Sequence, residues 1–176
     1  MIINANERHV RAIRHSLMVE PAGVDDIPSI MAIERMPGYS ELVGCYEAGE
    51  HLRRMAAPTC TYLLGRDAGE VVGFAVVRRD DDGMGTAQLH RIAVSSPGNG
   101  YGLAFMQEIC RWVFEEHDID RLWLDVLASN QRAVCLYAAL GFVKEGVMRE
   151  SLRLGEGRHD LVLMSLLRRD WTQQSN

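Results

Sequence analysis

The chain has 176 residues, a formal net charge of −5, 47% hydrophobic residues and 24% charged residues. That length suits one domain with a core large enough to need no disulfide staples, and the balance excludes a disordered or collagen-like chain. A net acidic chain is a poor match to a nucleic-acid binder working through a broad basic face, so no nucleic-acid partner is expected.

The opening "MIINANERHVRAIRHS" lacks the continuous apolar stretch of a secretory leader. No segment reaches the roughly 18 apolar residues of a membrane span, so no membrane partner is expected. Residues 1–11 read as a loose lead-in, 12–170 as one domain and 171–176 as a tail. Ala12 to Ala22 reads as a first strand ending at Pro21. "VDDIPSIMAIERM" follows with Ile27, Ile30, Met31 and Glu34 at helical spacing, and Pro28 is tolerated in a first turn. Pro37 and Gly38 in "PGYSEL" break the pattern, and a second helix is expected over Glu47 to Ala56. "TCTYLLGR" and "EVVGFAVVRR" predict an antiparallel hairpin. "TAQLHRIAVS" predicts another strand.

The run "PGNGYGLAFMQEICRWVFEEH" begins with glycines and continues as a helix. Leu103, Met106, Cys110 and Val113 fall on one face of it. "RLWLDVLA" predicts a strand and "SNQRAVCLYAALGF" a helix capped by Ser129 or Asn130 and closed by Gly141. "FVKEGVMRESLR" and "RHDLVLMSLLRR" predict two final strands. The order implies one mixed α/β sheet. Cys45, Cys60, Cys110 and Cys135 form no CxxC pair, so no metal is expected. They read as reduced thiols in the cytoplasm.

A glycine turn between a strand and a helix can hold an anion with backbone alone. The free N–H groups of a helix start point outward, and the macrodipole adds about half a positive charge there. Gly98, Gly100 and Gly102 are placed for this; the competing reading is a plain turn. A P-loop is excluded because no Lys-Ser or Lys-Thr follows. The dinucleotide fingerprint counted from Gly98 meets Leu103 at its third position, although Asp125 lies near where a ribose-binding acid would fall. A nicotinamide-dependent oxidoreductase is thus a weak alternative.

The second half narrows the choice. Asn130, Ala133, Tyr137 and Leu140 share one helical face. Asn130 and Tyr137 stand two turns apart, about 10 Å along the axis. Tyr137 is either a core tyrosine with a satisfied hydroxyl or a functional group, and Asn130 is either a simple N-cap or part of a site. Asp125 sits in an apolar strand, sharing its face with Trp123 and Leu127. Such a carboxylate is either paired with an arginine or raised in pKa as a functional base.

Together "LHRIAV", "PGNGYG", "LWLDV" and "SNQRAVCLYAALGF" with "EGVMRES" resemble the GNAT acetyltransferase superfamily over roughly residues 12 to 170. "GRHDLVLMSLL" is similar to the last strand of the branch with ribosomal-protein alanine and polyamine acetyltransferases. The resemblance implies a mostly antiparallel central sheet flanked by helices, with two central parallel strands splayed for acetyl-CoA. It implies that Ile92, Ala93 and Val94 pair with the pantetheine arm. The amides of Gly98, Asn99, Gly100, Tyr101 and Gly102 would hold the pyrophosphate, and Asn130 and Ala133 would line the thioester site. One departure is Pro97, where the family usually has Arg or Gln.

The resemblance further implies Tyr137 as the acid for the leaving thiolate and Asp125 as first candidate for the base, with His90 second. Glu34, Tyr39 and Glu41 would fall at the acceptor pocket. The implied reaction moves an acetyl group from acetyl-CoA to the amine of a small molecule or peptide. A homodimer is a further expectation, since relatives are commonly dimers. A non-catalytic acyl-CoA-binding domain is the alternative that would dispense with Tyr137.

Overall fold

The structure is a computed structural model and describes residues 16–42, 44–80 and 83–174. Seven strands form one sheet in the order β1-β2-β3-β4-β5-β7-β6. They are β1 (Met18–Pro21), β2 (Cys60–Asp67), β3 (Glu70–Arg79), β4 (Thr86–Val94), β5 (Arg121–Leu127), β6 (Val143–Leu154) and β7 (Gly157–Leu167). Every neighbouring pair is antiparallel except β4 and β5. The helices are α1 (Ile27–Glu34), α2 (Tyr39–Leu42), α3 (Ala48–Met55), α4 (Tyr101–Glu115), α5 (Gln131–Ala139) and α6 (Arg168–Gln174).

Alternation along the strands divides the core in two. Leu63, Ala75, Val77, Ala87 and Leu89 pack with Phe105, Met106 and Ile109 of α4. Tyr62, Leu64, Phe74, Val76 and Ala93 pack with Ile30 and Ile33 of α1 on the other face. Each large side chain so enclosed contributes about 1.5–3 kcal/mol.

Two features of β4 position the site. It pairs with β5 only at Thr86↔Arg121, Ala87↔Leu122 and Gln88↔Trp123, and from Leu89 onward the two strands part. Against β3, Val77 faces Leu89 and Val76 faces Arg91, which leaves His90 as the extra residue of a β-bulge. The bulge breaks alternation, so His90 and Arg91 both reach Tyr46 on the α1 face. His90 Nε2 lies 3.3 Å from the Tyr46 hydroxyl, and the Arg91 guanidinium lies 4.0 Å over its ring.

Three sequence expectations are corrected. The described part of the first strand covers only Met18–Pro21; residues 12–15 lie outside the described residues. "PGYSEL" contains the short helix α2 rather than only a break. The last strand stops at Leu167, and the chain turns into α6. Trp171, assigned to a tail, is buried there with its ring 6.3 Å from that of Phe114. A tryptophan brings enough apolar area to dock a short helix that has no periodicity of its own.

Candidate active site

The parting of β4 and β5 opens a cavity of about 640 Å³. Residues from both sheet faces line it, because only where two strands separate can the two faces meet. From the α4 side come Pro97, Gly102, Met106, Leu124, Asn130, Arg132, Ala133 and Tyr137. From the α1 side come Tyr39, Tyr46, Arg78, Gln88, His90 and Asp125. Ile92, Ala93 and Val94 form the β4 edge between them.

The glycine turn is built as backbone alone requires. Gly98 and Gly100 have φ of 99° and 90°, a region that costs an L side chain about 1–2 kcal/mol. Gly100 in this conformation starts α4, whose first backbone bond is Ala104 N–H to the Gly100 carbonyl. Among the described residues, the amides of Gly98 to Leu103 have no acceptor. Pro97 and Gly102 line the cavity, whereas Gly98, Asn99, Gly100 and Tyr101 are not among its lining residues. The Tyr101 side chain points away and donates to Asp67 Oδ2 at 2.6 Å.

Asn130 caps α5 by accepting the Ala133 N–H at 3.2 Å, and it also lines the cavity, so the cap and site readings coexist. One helix face aims Asn130, Ala133 and Tyr137 at the gap. Tyr137 is only 7% exposed, yet its hydroxyl has no hydrogen-bond partner among the described residues. Burial, and after it the Asp125 charge, push its pKa up, so the phenol stays protonated. The reading of a satisfied core tyrosine is therefore not met.

Among the described residues, Asp125 has no arginine partner. Its Oδ2 accepts from Gln88 Nε2 at 3.1 Å, and burial raises its pKa against the opposing pull of that bond. His90 is pushed down to about 4 by burial first and then by Arg78, Arg54 and Arg91, so its ring is neutral at pH 7. The Tyr39 hydroxyl donates to the Val94 carbonyl at 2.7 Å and accepts the Val94 N–H at 3.2 Å. It thereby satisfies both polar groups of the parted strand's last residue.

Glu34 is placed differently from expectation. It is fully buried behind the cavity and does not line it. Its Oε1 meets Arg35 at 3.0 Å and His51 at 3.2 Å and accepts the Tyr46 N–H at 2.9 Å. Its Oε2 faces Arg91 Nη1 at 3.0 Å, an ionic contact rather than an aligned hydrogen bond. The Glu41 side chain lies outside the described residues.

Sequence reasoning missed Arg78, Gln88, Tyr46 and Arg132. A β-carbon added to Gly98 would stand 3.7 Å from Arg132 Nη2, so this guanidinium lies beside the glycine turn. Its signal was available, since a cation in the first turn of a helix opposes the macrodipole and calls for an anion nearby. Arg78, Gln88 and Tyr46 gave no periodic signal.

The seven-stranded fold has counterparts among known proteins. Residues 28–142 match the Acetyltransferase (GNAT) family. The chain belongs to this family. Its seven-stranded sheet with one parallel, parting pair is the fold the sequence resemblance implied.

Within the GNAT family, the chain is 32% identical over 100 residues to the [Ribosomal protein bS18]-alanine N-acetyltransferase of Escherichia coli (strain K12). That match covers 56% of this chain and 65% of the relative. It is 31% identical over 80 residues to YdaF of Bacillus subtilis (strain 168), covering 46% of this chain and 44% of the relative. The chain thus spans less than two thirds of the length of these curated relatives. A solved spermidine N-acetyltransferase from Vibrio cholerae, in complex with CoA and spermine, superposes with a TM-score of 0.79 at 17% identity. The superposition covers 90% of this chain and 99% of that one, and establishes likeness of fold.

Proposed function

We propose that this chain transfers an acetyl group from acetyl-CoA to an amine by direct attack, with no acyl-enzyme. The observation that carries this reading is the Tyr137 hydroxyl, buried, protonated and without a hydrogen-bond partner among the described residues, in the same cavity as Asp125. Acetyl-CoA supplies the activated thioester. The amides of Gly98 to Gly102 grip its pyrophosphate, and Arg132 adds the cation that Pro97 cannot. The β4 edge at Ile92–Val94 pairs with the pantetheine arm once the Tyr39 hydroxyl leaves Val94. Asn130 and Ala133 form the opposite wall.

An acceptor amine with pKa about 10 is mostly protonated at pH 7, and freeing its lone pair costs about 4 kcal/mol. Asp125 takes that proton, aided by its raised pKa, directly or through water. Neutral His90 is the second base. Backbone N–H groups near Val94 stabilise the oxyanion. Tyr137 gives its proton to the departing thiolate. Burial raises phenol and thiol alike, so acid and leaving group stay matched.

This reading places the protein in the cytoplasm as a homodimer, which cell fractionation and light scattering test. Among the described residues no helix is long and apolar enough to cross a membrane. The decisive experiment measures free thiol release from acetyl-CoA with a panel of amines. Tyr137→Phe should lower kcat by about 100-fold. CoA binding with no thiol release from any amine would leave only an acyl-CoA-binding domain.

A further inference from the structure

The α1 side of the cavity, where the acceptor would approach, carries three charged groups: Arg78, Arg91 and Asp125. Arg91 is neutralised from behind by buried Glu34 and also donates to the Gly44 carbonyl. Asp125 is the only carboxylate among the described lining residues. Arg78 is exposed and forms no ion pair or hydrogen bond among the described residues. A solvated arginine on a strand end is ordinary; this one borders the site.

Its position follows from register. Arg78 stands opposite Gln88, and Gln88 stands opposite Trp123. Asp125 is two residues beyond Trp123 and so shares its face. Gln88 bridges the row by its bond to Asp125. Arg78 and Asp125 therefore flank one acceptor entry, two strands apart and offset by two residues along the strand, roughly 12 Å between backbones at ordinary strand spacing. Both side chains line the same cavity, so one acceptor can meet the two at once.

We propose that the acceptor is an amine carrying a carboxylate close by, with the amine at Asp125 and the carboxylate on the Arg78 guanidinium. The proposal rests on the acetyl-transfer reading above and gives that site its substrate class. The guanidinium fork matches a carboxylate in two parallel hydrogen bonds. A polyamine is the wrong cargo for this mouth. Its further ammonium groups would meet Arg78, while Glu34, expected by resemblance at the acceptor pocket, is buried and engaged with Arg91, Arg35 and His51. Both a free amino acid and a peptide N-terminus followed by an acidic residue meet the requirement.

The test compares kcat/KM of the full chain for the amidated peptides Ala-Glu, Ala-Gln and Ala-Lys, for free alanine and for spermidine. Ala-Glu should exceed Ala-Gln by about tenfold through KM, with Ala-Lys and spermidine last. Free alanine above Ala-Glu would place the carboxylate on the acceptor's own backbone; the reverse order would place it on the following side chain. Arg78→Ala should level Ala-Glu and Ala-Gln, and Arg78→Glu should put Ala-Lys ahead of Ala-Glu. CoA affinity, measured by calorimetry, should not move in either variant.

Spermidine or Ala-Lys as the best wild-type acceptor, or an unchanged ranking in Arg78→Glu, overturns the proposal and leaves acetyl transfer standing. So does a protein that acetylates other amines and none of the carboxylate-bearing ones. Failure to bind acetyl-CoA at all removes the acetyl-transfer reading itself.

Discussion

Glu34 and Asp125 are both carboxylates in apolar surroundings, and both were site candidates by sequence. Glu34 ends α1, buried against β4, with Arg91, Arg35 and His51 around it. Asp125 lies at the gap between β4 and β5 with one neutral amide as its partner. The contrast teaches that the partner, more than the depth, decides what a buried acid does. Held between arginines, a carboxylate ties structure together. Given a single neutral donor, it keeps a raised pKa and a readiness to take a proton.

The largest effect should come from Glu34→Ala, which takes the buried carboxylate away from Arg91, whose side chain is only 3% exposed. We expect a loss of about 3–5 kcal/mol in urea unfolding. Replacing Arg91 by methionine in the same chain should restore most of it, and no restoration would mean that the pair is not the source. Asp125→Asn should do the opposite: kcat lower by about 100-fold at pH 7, with stability kept or slightly raised. The sign follows from the raised pKa. The fold favours protonated Asp125, so this contribution is full below the unfolded pKa and is lost as pH rises through the folded one. Asp125→Asn should remove that dependence, and should remove the acidic limb of the rate profile, which lies above the usual carboxylate range.

Tyr39→Phe sharpens the comparison at the cofactor end. Freeing the Val94 N–H and carbonyl removes a competing hydrogen-bond pair, worth about 0.5–1.5 kcal/mol. CoA should bind several-fold more tightly by calorimetry; weaker binding would make Tyr39 a direct ligand. The smallest effect is a pH dependence at His90. Its folded pKa near 4 lies below the ordinary 6.5, so the unfolded chain binds the extra proton first. Stability should fall as pH is lowered from about 6.5 and level off near 4, and His90→Gln should flatten that part of the curve.

Much of the site was legible because its signals are local. The αL glycines, the N-cap at Asn130 and the two-turn spacing to Tyr137 each depend on a few neighbouring residues. Glu34 was misplaced because helical spacing shows that a residue faces inward and not what waits there: Arg91 lies 57 positions on and is turned toward it by a bulge no composition signals. Arg78 and Gln88 escaped notice for the same reason, since a cross-strand neighbour is set by register.

By itself, the sequence determined the strands and the principal helices, the strand–turn–helix amide cluster and the helix face bearing Asn130 and Tyr137. These follow from backbone sterics and hydrophobic period, which act over a few residues. Only the tertiary structure decided where β4 leaves β5, which acid is neutralised and that Arg78 has no ion-pair partner among the described residues. Those depend on how distant segments pack, and a charge takes its character from whatever that packing sets beside it.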